Sequence, residues 1–118
     1  MRMFALIFTT ALVYYAGPAH ANWPEWRGPA ADGHSESTLL PTRWSETENV
    51  AWKQAIHDLG HSTPVVWGDQ IWLTTAKEDG TVLYALCIDL NSGEVIRDIE
   101  VFRVENPQQI NPLNSYAT

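Results

Sequence analysis

Between His61 and Glu105 apolar and polar residues fall into four short runs rich in Val, Ile, Leu, Trp, Tyr and Thr. The first is Val65-Val66-Trp67 and the second Ile71-Trp72-Leu73-Thr74-Thr75-Ala76. The third is Val82-Leu83-Tyr84-Ala85-Leu86-Cys87-Ile88, and the last runs through Val95-Ile96 and Ile99-Glu100-Val101-Phe102-Arg103-Val104. β-Branched and aromatic residues fit a pleated surface, so this spacing predicts strands. The breaks between runs are turn signals. Gly68-Asp69 suits a two-residue hairpin, Asp79-Gly80 a type I′ turn, and Asn91-Ser92-Gly93 a three-residue loop closing on a left-handed glycine. Together they predict an all-β, four-stranded antiparallel meander.

The faces of that sheet carry a second expectation. Val82, Tyr84, Leu86 and Ile88 alternate with Leu83, Ala85 and Cys87, so the third strand is apolar on both sides. A meander with one face in water shows apolar residues on one side only. Both faces therefore call for cover, from a second sheet or from neighbouring blades of a propeller.

Thr63-Pro64-Val65-Val66-Trp67-Gly68-Asp69-Gln70-Ile71-Trp72, then Leu83-Tyr84-Ala85-Leu86, then Asp89-Leu90-Asn91-Ser92-Gly93-Glu94-Val95-Ile96, follow one another in a fixed order. This order resembles one repeat of the PQQ-like β-propeller family, which includes quinoprotein alcohol dehydrogenases and BamB-like assembly lipoproteins. On that resemblance Pro64, Gly68, Asp69, Ala85, Asp89 and Gly93 are structural repeat positions. Residues 61–105 would form the first antiparallel four-stranded blade of a propeller that is eight-bladed when complete. Arg97 stands where the family's repeat ends in a docking tryptophan, and Cys87-Ile88 look like two extra residues ahead of the aspartate.

Earlier in the chain the pattern changes. Arg2, the apolar stretch from Met3 to Ala16 and the small-residue site Ala19-His20-Ala21 read as an export signal over residues 1–21. A membrane-spanning helix needs about 20 apolar residues, and Gly17-Pro18 interrupts this run, so cleavage is expected to leave no membrane anchor. Residues 22–48 are punctuated by Trp23-Pro24-Glu25-Trp26-Arg27-Gly28-Pro29 and Pro41-Thr42-Arg43-Trp44, which predicts an irregular lead-in held by tryptophans. It resembles the lead-in of planctomycete-type PQQ-like propellers. Residues 49–57 alternate Val50, Trp52 and Gln54 against Ala51, Lys53 and Ala55, predicting a strand. On the resemblance that strand closes the last blade, with Trp52 a packing residue between blades. Residues 106–118 are rich in Pro, Asn and Gln and read as the connection to a second blade, which makes this segment the start of a longer propeller.

Charge narrows the functional classes. The 118 residues carry 7 basic and 14 acidic side chains, a net charge of −7. Such a surface repels nucleic-acid phosphates, so nucleic acid is not an expected partner. With a single cysteine, Cys87, no disulfide can form within the chain, and stability must come from packing.

Candidate chemistry is sparse. His57 and His61 have a metal-ligand spacing only if helical, and Gly60 between strand patterns argues against a helix. Asp89 has a structural explanation, since a carboxylate ahead of a Ser-Gly turn accepts local hydrogen bonds. In the enzymes of the resembling family a glutamate touching PQQ occupies the position of His61, which makes His61 the candidate cofactor-binding residue if the chain is an enzyme. No catalytic or metal residue is assigned. The resemblance implies an exported, non-catalytic propeller of the periplasm or extracellular space, without cofactor, presenting loops to a protein or polymer partner. The alternative is a PQQ-dependent envelope oxidoreductase that binds PQQ with calcium.

Overall fold

In a computed structural model of the chain, residues 22–38 and 40–118 are described. The segment expected to be an export signal, 1–21, lies outside them. The fold is all-β: β1 (Val65–Trp67), β2 (Gln70–Ala76), β3 (Val82–Asp89) and β4 (Val95–Arg103) form one antiparallel sheet in the order β1-β2-β3-β4. Among the described residues no helix is long and apolar enough to cross a membrane.

Each connection is set by a glycine in the left-handed region, where a side chain is disfavoured. Trp67 pairs with Gln70 across Gly68-Asp69, with Gly68 at φ 58°, so the first hairpin has the predicted two-residue loop. The second differs from the predicted type I′ turn, because only Gly80, at φ 73°, has a positive φ there and Asp79 does not. Gly80 N–H donates to Lys77 O at 2.8 Å, while Asp79 Oδ1 accepts from Thr81 N–H and Oγ1–H at 2.9 and 2.6 Å. Asp79 thereby stabilises the residue after the glycine, an Asx arrangement that leaves its own backbone unstrained. The third loop spans residues 90–93, one longer than predicted: Asp89 N–H donates to Glu94 O at 2.9 Å, and Gly93 closes it at φ 77°.

Register assigns the two faces. Ile71, Leu73 and Thr75 of β2 lie opposite Ile88, Leu86 and Tyr84 of β3, and Leu86 and Tyr84 lie opposite Asp98 and Glu100 of β4. The other face carries Trp67 and Trp72, then Leu83, Ala85 and Cys87, then Arg97, Ile99 and Phe102. β4 slips against β3 twice, between Leu83 and Tyr84 and between Cys87 and Ile88, so Val101 and Ile96 are the extra residues. Such bulges bend an edge strand and blunt its tendency to pair with other chains. Cys87-Ile88, the apparent insertion in the repeat pattern, is thus absorbed inside β3 with a bulge facing it.

Burial follows the centre of the sheet. Thr75, Ala76, Val82, Leu86, Cys87 and Ile88 are buried, whereas every residue of β4 is exposed. Residues 50–57 form no strand pairing among the described residues, in contrast to the strand predicted there. They run instead as an extended strap that joins the sheet at Leu59, whose N–H and C=O both bond to Ala76 at 3.0 and 2.8 Å. Ser62 continues this edge, its hydroxyl bonding the N–H and C=O of Thr74 at 3.0 Å each. At the far edge of β1, Trp23 and Val66 exchange backbone hydrogen bonds of 2.8 and 2.9 Å, tying the lead-in to the sheet.

Candidate functional site

The best-organised cluster joins the strap to the β3–β4 turn. Asp89 Oδ1 accepts from Asn91 N–H at 3.0 Å and Ser92 N–H at 2.7 Å, and Gly93 N–H closes onto Asp89 O at 2.9 Å. These donors, the Ser92 backbone first, hold the Asp89 carboxyl below its usual pKa range. The turn is thereby fixed, with Gly93 buried in it. Trp52 lies against it: a Cβ built on Gly93 would come within 2.5 Å of the indole ring. The indole Nε1–H donates to Leu90 O at 2.9 Å, using a carbonyl of the same turn. A large half-buried ring and its polar handle are thus both satisfied by one turn.

The same device occurs twice more. A Cβ on Gly28 would come within 2.7 Å of the Trp23 ring, and one on Gly80 within 2.6 Å of Tyr116. Tyr116 also donates its hydroxyl to Gln108 O at 2.7 Å. The glycines were legible as turns, but the partners of Gly80 and Gly93 come from distant segments, and no local periodicity announces such pairs.

His57 forms a second cluster, at the end of the strap next to Leu59. Its Nδ1 lies 2.7 Å from Asp58 Oδ2 and its Nε2 3.1 Å from Asp98 Oδ2, while its ring meets Tyr84 edge-on at 4.8 Å and 88°. The Asp58 hydrogen bond raises the His57 pKa above the ordinary 6.5, burial opposes it, and Asp98 adds to the rise. Asp58 has a positive φ of 59°, a conformation that Asp tolerates better than most side chains. His57 and His61 do not act as a pair, in keeping with the absence of a helix there; the partners of His57 are carboxylates, one of them on β4.

His61 is exposed, and its N–H donates to Ala117 O at 2.8 Å, fastening the C-terminal segment ahead of β1. Among the described residues no group of three His, Cys, Asp or Glu side chains is arranged to hold a metal. The other residues that the resemblance singles out lie in or beside the sheet. Pro64 precedes β1, Ala85 sits mid-β3 opposite Thr74, and the Asp69 carboxylate accepts from Asn91 Nδ2–H at 3.2 Å. Asp69 O also accepts from Leu90 N–H at 2.8 Å, so the first and third turns are linked.

One further feature is not visible in sequence. A cleft of about 580 Å³ opens between the β2–β3 turn and the C-terminal segment, with Leu59, Lys77, Glu78, Asn111, Asn114 and Tyr116 in its wall. His61 is not part of it. Cys87 is fully buried, and desolvation pushes its thiol pKa up, which leaves it a poor nucleophile. No family model matches the chain, and neither the curated proteins nor the solved structures contain a significant match.

Proposed function

We propose that the sheet is one blade of an exported β-propeller of the PQQ-like repeat type, acting as a non-catalytic scaffold in the cell envelope. The contact of Trp52 with Gly93 carries this reading. A tryptophan from a preceding extended segment, seated on a glycine turn and bonded to its carbonyl, is a joint suited to stacking one blade on the next. The strap meets the sheet through Trp52 at the β3–β4 turn and through His57 against Tyr84 and Asp98. The opposite face leaves Trp67, Ile99 and Phe102 exposed at 65%, 42% and 62%. Apolar area of that extent on one side of a sheet marks a place for a further packed layer, and repeat folds need about three or more units before their cores close.

Scaffolding fits the local chemistry better than catalysis. The Asp89 carboxylate is occupied by its own turn, His57 by Asp58 and Asp98, and the Cys87 thiol by the core. His61 at the entrance to β1 lacks the negative charge of the residue it replaces in the resembling enzymes. Its partner would be a protein or polymer held by the loops.

Thermal unfolding and sedimentation of residues 22–118 test the architecture. Association through the open face, or a weakly cooperative melt, is expected; a compact monomer with a sharp cooperative transition would overturn it. Adding PQQ and calcium tests the scaffold role. No change in stability is expected, whereas a gain approaching the ~2.7 kcal/mol of a ligand at a hundred times its Kd would establish a holoprotein instead.

A further inference from the structure

We propose that His57 is a pH-sensitive latch: its imidazolium joins Asp58 to Asp98 and holds strap residues 50–59 on the blade, and loss of its proton loosens them. Hydrogen-bond arithmetic at the ring is the basis. Both ring nitrogens face carboxylate oxygens, Nδ1 at 2.7 Å from Asp58 and Nε2 at 3.1 Å from Asp98. A neutral imidazole has one N–H, so it could satisfy one carboxylate while turning a lone pair on the other; only the protonated ring donates to both. The two carboxylates belong to different parts of the chain. Asp58 lies beside His57 on the strap, and Asp98 lies on β4, so the second bond crosses from strap to sheet.

The surroundings favour the charged ring. The groups facing it are Asp58 on its own segment, Asp98 on β4 and the phenol of Tyr84 on β3. Glu100, opposite Tyr84 on the same face, is engaged by Arg103 through contacts of 3.0 and 2.7 Å. The flanking anchors do not ionise in the same range: the Trp52 indole on Leu90 O, and the Leu59 amide and carbonyl on Ala76. His57 sits between them, two residues from Leu59, so its proton sets the grip of that end of the strap. The ring pKa lies above 6.5, so the latch is shut below that value and opens as pH rises through the His57 pKa in the folded chain. Side-chain exposures of 39% for His57 and 48% for Asp98 keep the effect modest, because solvent screens the pair.

Amide hydrogen exchange on the intact chain, corrected for the intrinsic pH dependence of exchange, reads this directly. Protection of Leu59 N–H is expected to fall about two- to fivefold, the size of a screened ion pair. The fall should track the His57 ring titration seen by NMR as pH rises through it. Lys77 N–H, bonded to Val82 O within the β2–β3 hairpin, serves as the amide that should not follow. Asp98→Asn should lower the ring pKa and flatten the Leu59 profile, and His57→Gln should abolish the step. Leu59 protection that stays flat in the unmodified chain, or a step that survives in His57→Gln, overturns the latch.

Discussion

Substituting Gly93 with alanine tests the joint between strap and turn. At φ 77° an alanine is strained, and its Cβ would meet the Trp52 ring at 2.5 Å. A left-handed conformation costs a non-glycine residue about 1–2 kcal/mol. Forcing a methyl into an occupied contact costs about 1–3 kcal/mol more, and displacing the indole forfeits its hydrogen bond to Leu90 O, about 1 kcal/mol. The expected destabilisation is therefore about 3–6 kcal/mol. Gly68→Ala isolates the first component, because Gly68 has φ 58° but nothing within 4 Å of its would-be Cβ; it should cost about 1–2 kcal/mol. Trp52→Ala completes a double-mutant cycle. Without the ring, Gly93→Ala should cost no more than Gly68→Ala, leaving a coupling of about 2–4 kcal/mol. Urea unfolding followed by far-UV circular dichroism, at fixed protein concentration, supplies the free energies without relying on tryptophan emission. Equal costs for Gly93→Ala with and without Trp52 would refute the joint.

Other expected outcomes are independent of that cycle. Thr75 is 2% exposed and its Oγ1 has no hydrogen-bond partner among the described residues, so isosteric Thr75→Val should raise stability by about 1–2 kcal/mol in chemical denaturation. Thr75→Ser, which keeps the orphan hydroxyl and loses the methyl, should lower it. The Asp89 carboxyl titrates below its ordinary value of 3.8, so its turn contributes stability above that value, lost as pH falls through the folded pKa; Asp89→Asn should flatten acid unfolding there. Cys87, buried with a raised thiol pKa, should resist a soluble thiol reagent in the folded chain and react on unfolding, a difference read by mass spectrometry.

Local pattern was enough for much of the fold. Alternation over residues 65–103, broken at Gly68, Gly80 and Gly93, marked four strands in meander order, because a side-chain period of two and a positive φ are properties of neighbouring residues. The Asp89 turn was legible for the same reason, its partners lying two and three residues along the chain. The type of the second turn was missed because Asp79 could bond forward to Thr81 and stay out of the left-handed region.

The strap needed the tertiary structure. Residues 49–57 alternate like a strand, yet alternation reports only that one side will be covered and not by which bonds. Here Trp52 and His57 make their contacts through side chains, to Leu90 and to Asp58 and Asp98. His57 shows the difference most plainly. Along the chain its notable neighbour was His61, but pairing β3 with β4 sets Asp98 beside Leu86 and brings a carboxylate forty-one positions away to the ring. Sequence by itself determined the four strands of the sheet and where its turns fall, since those follow from covalent geometry and short-range pattern. Which ring lies on which glycine, and which acid meets the histidine, depended on long-range contacts that exist only once the sheet has closed its register.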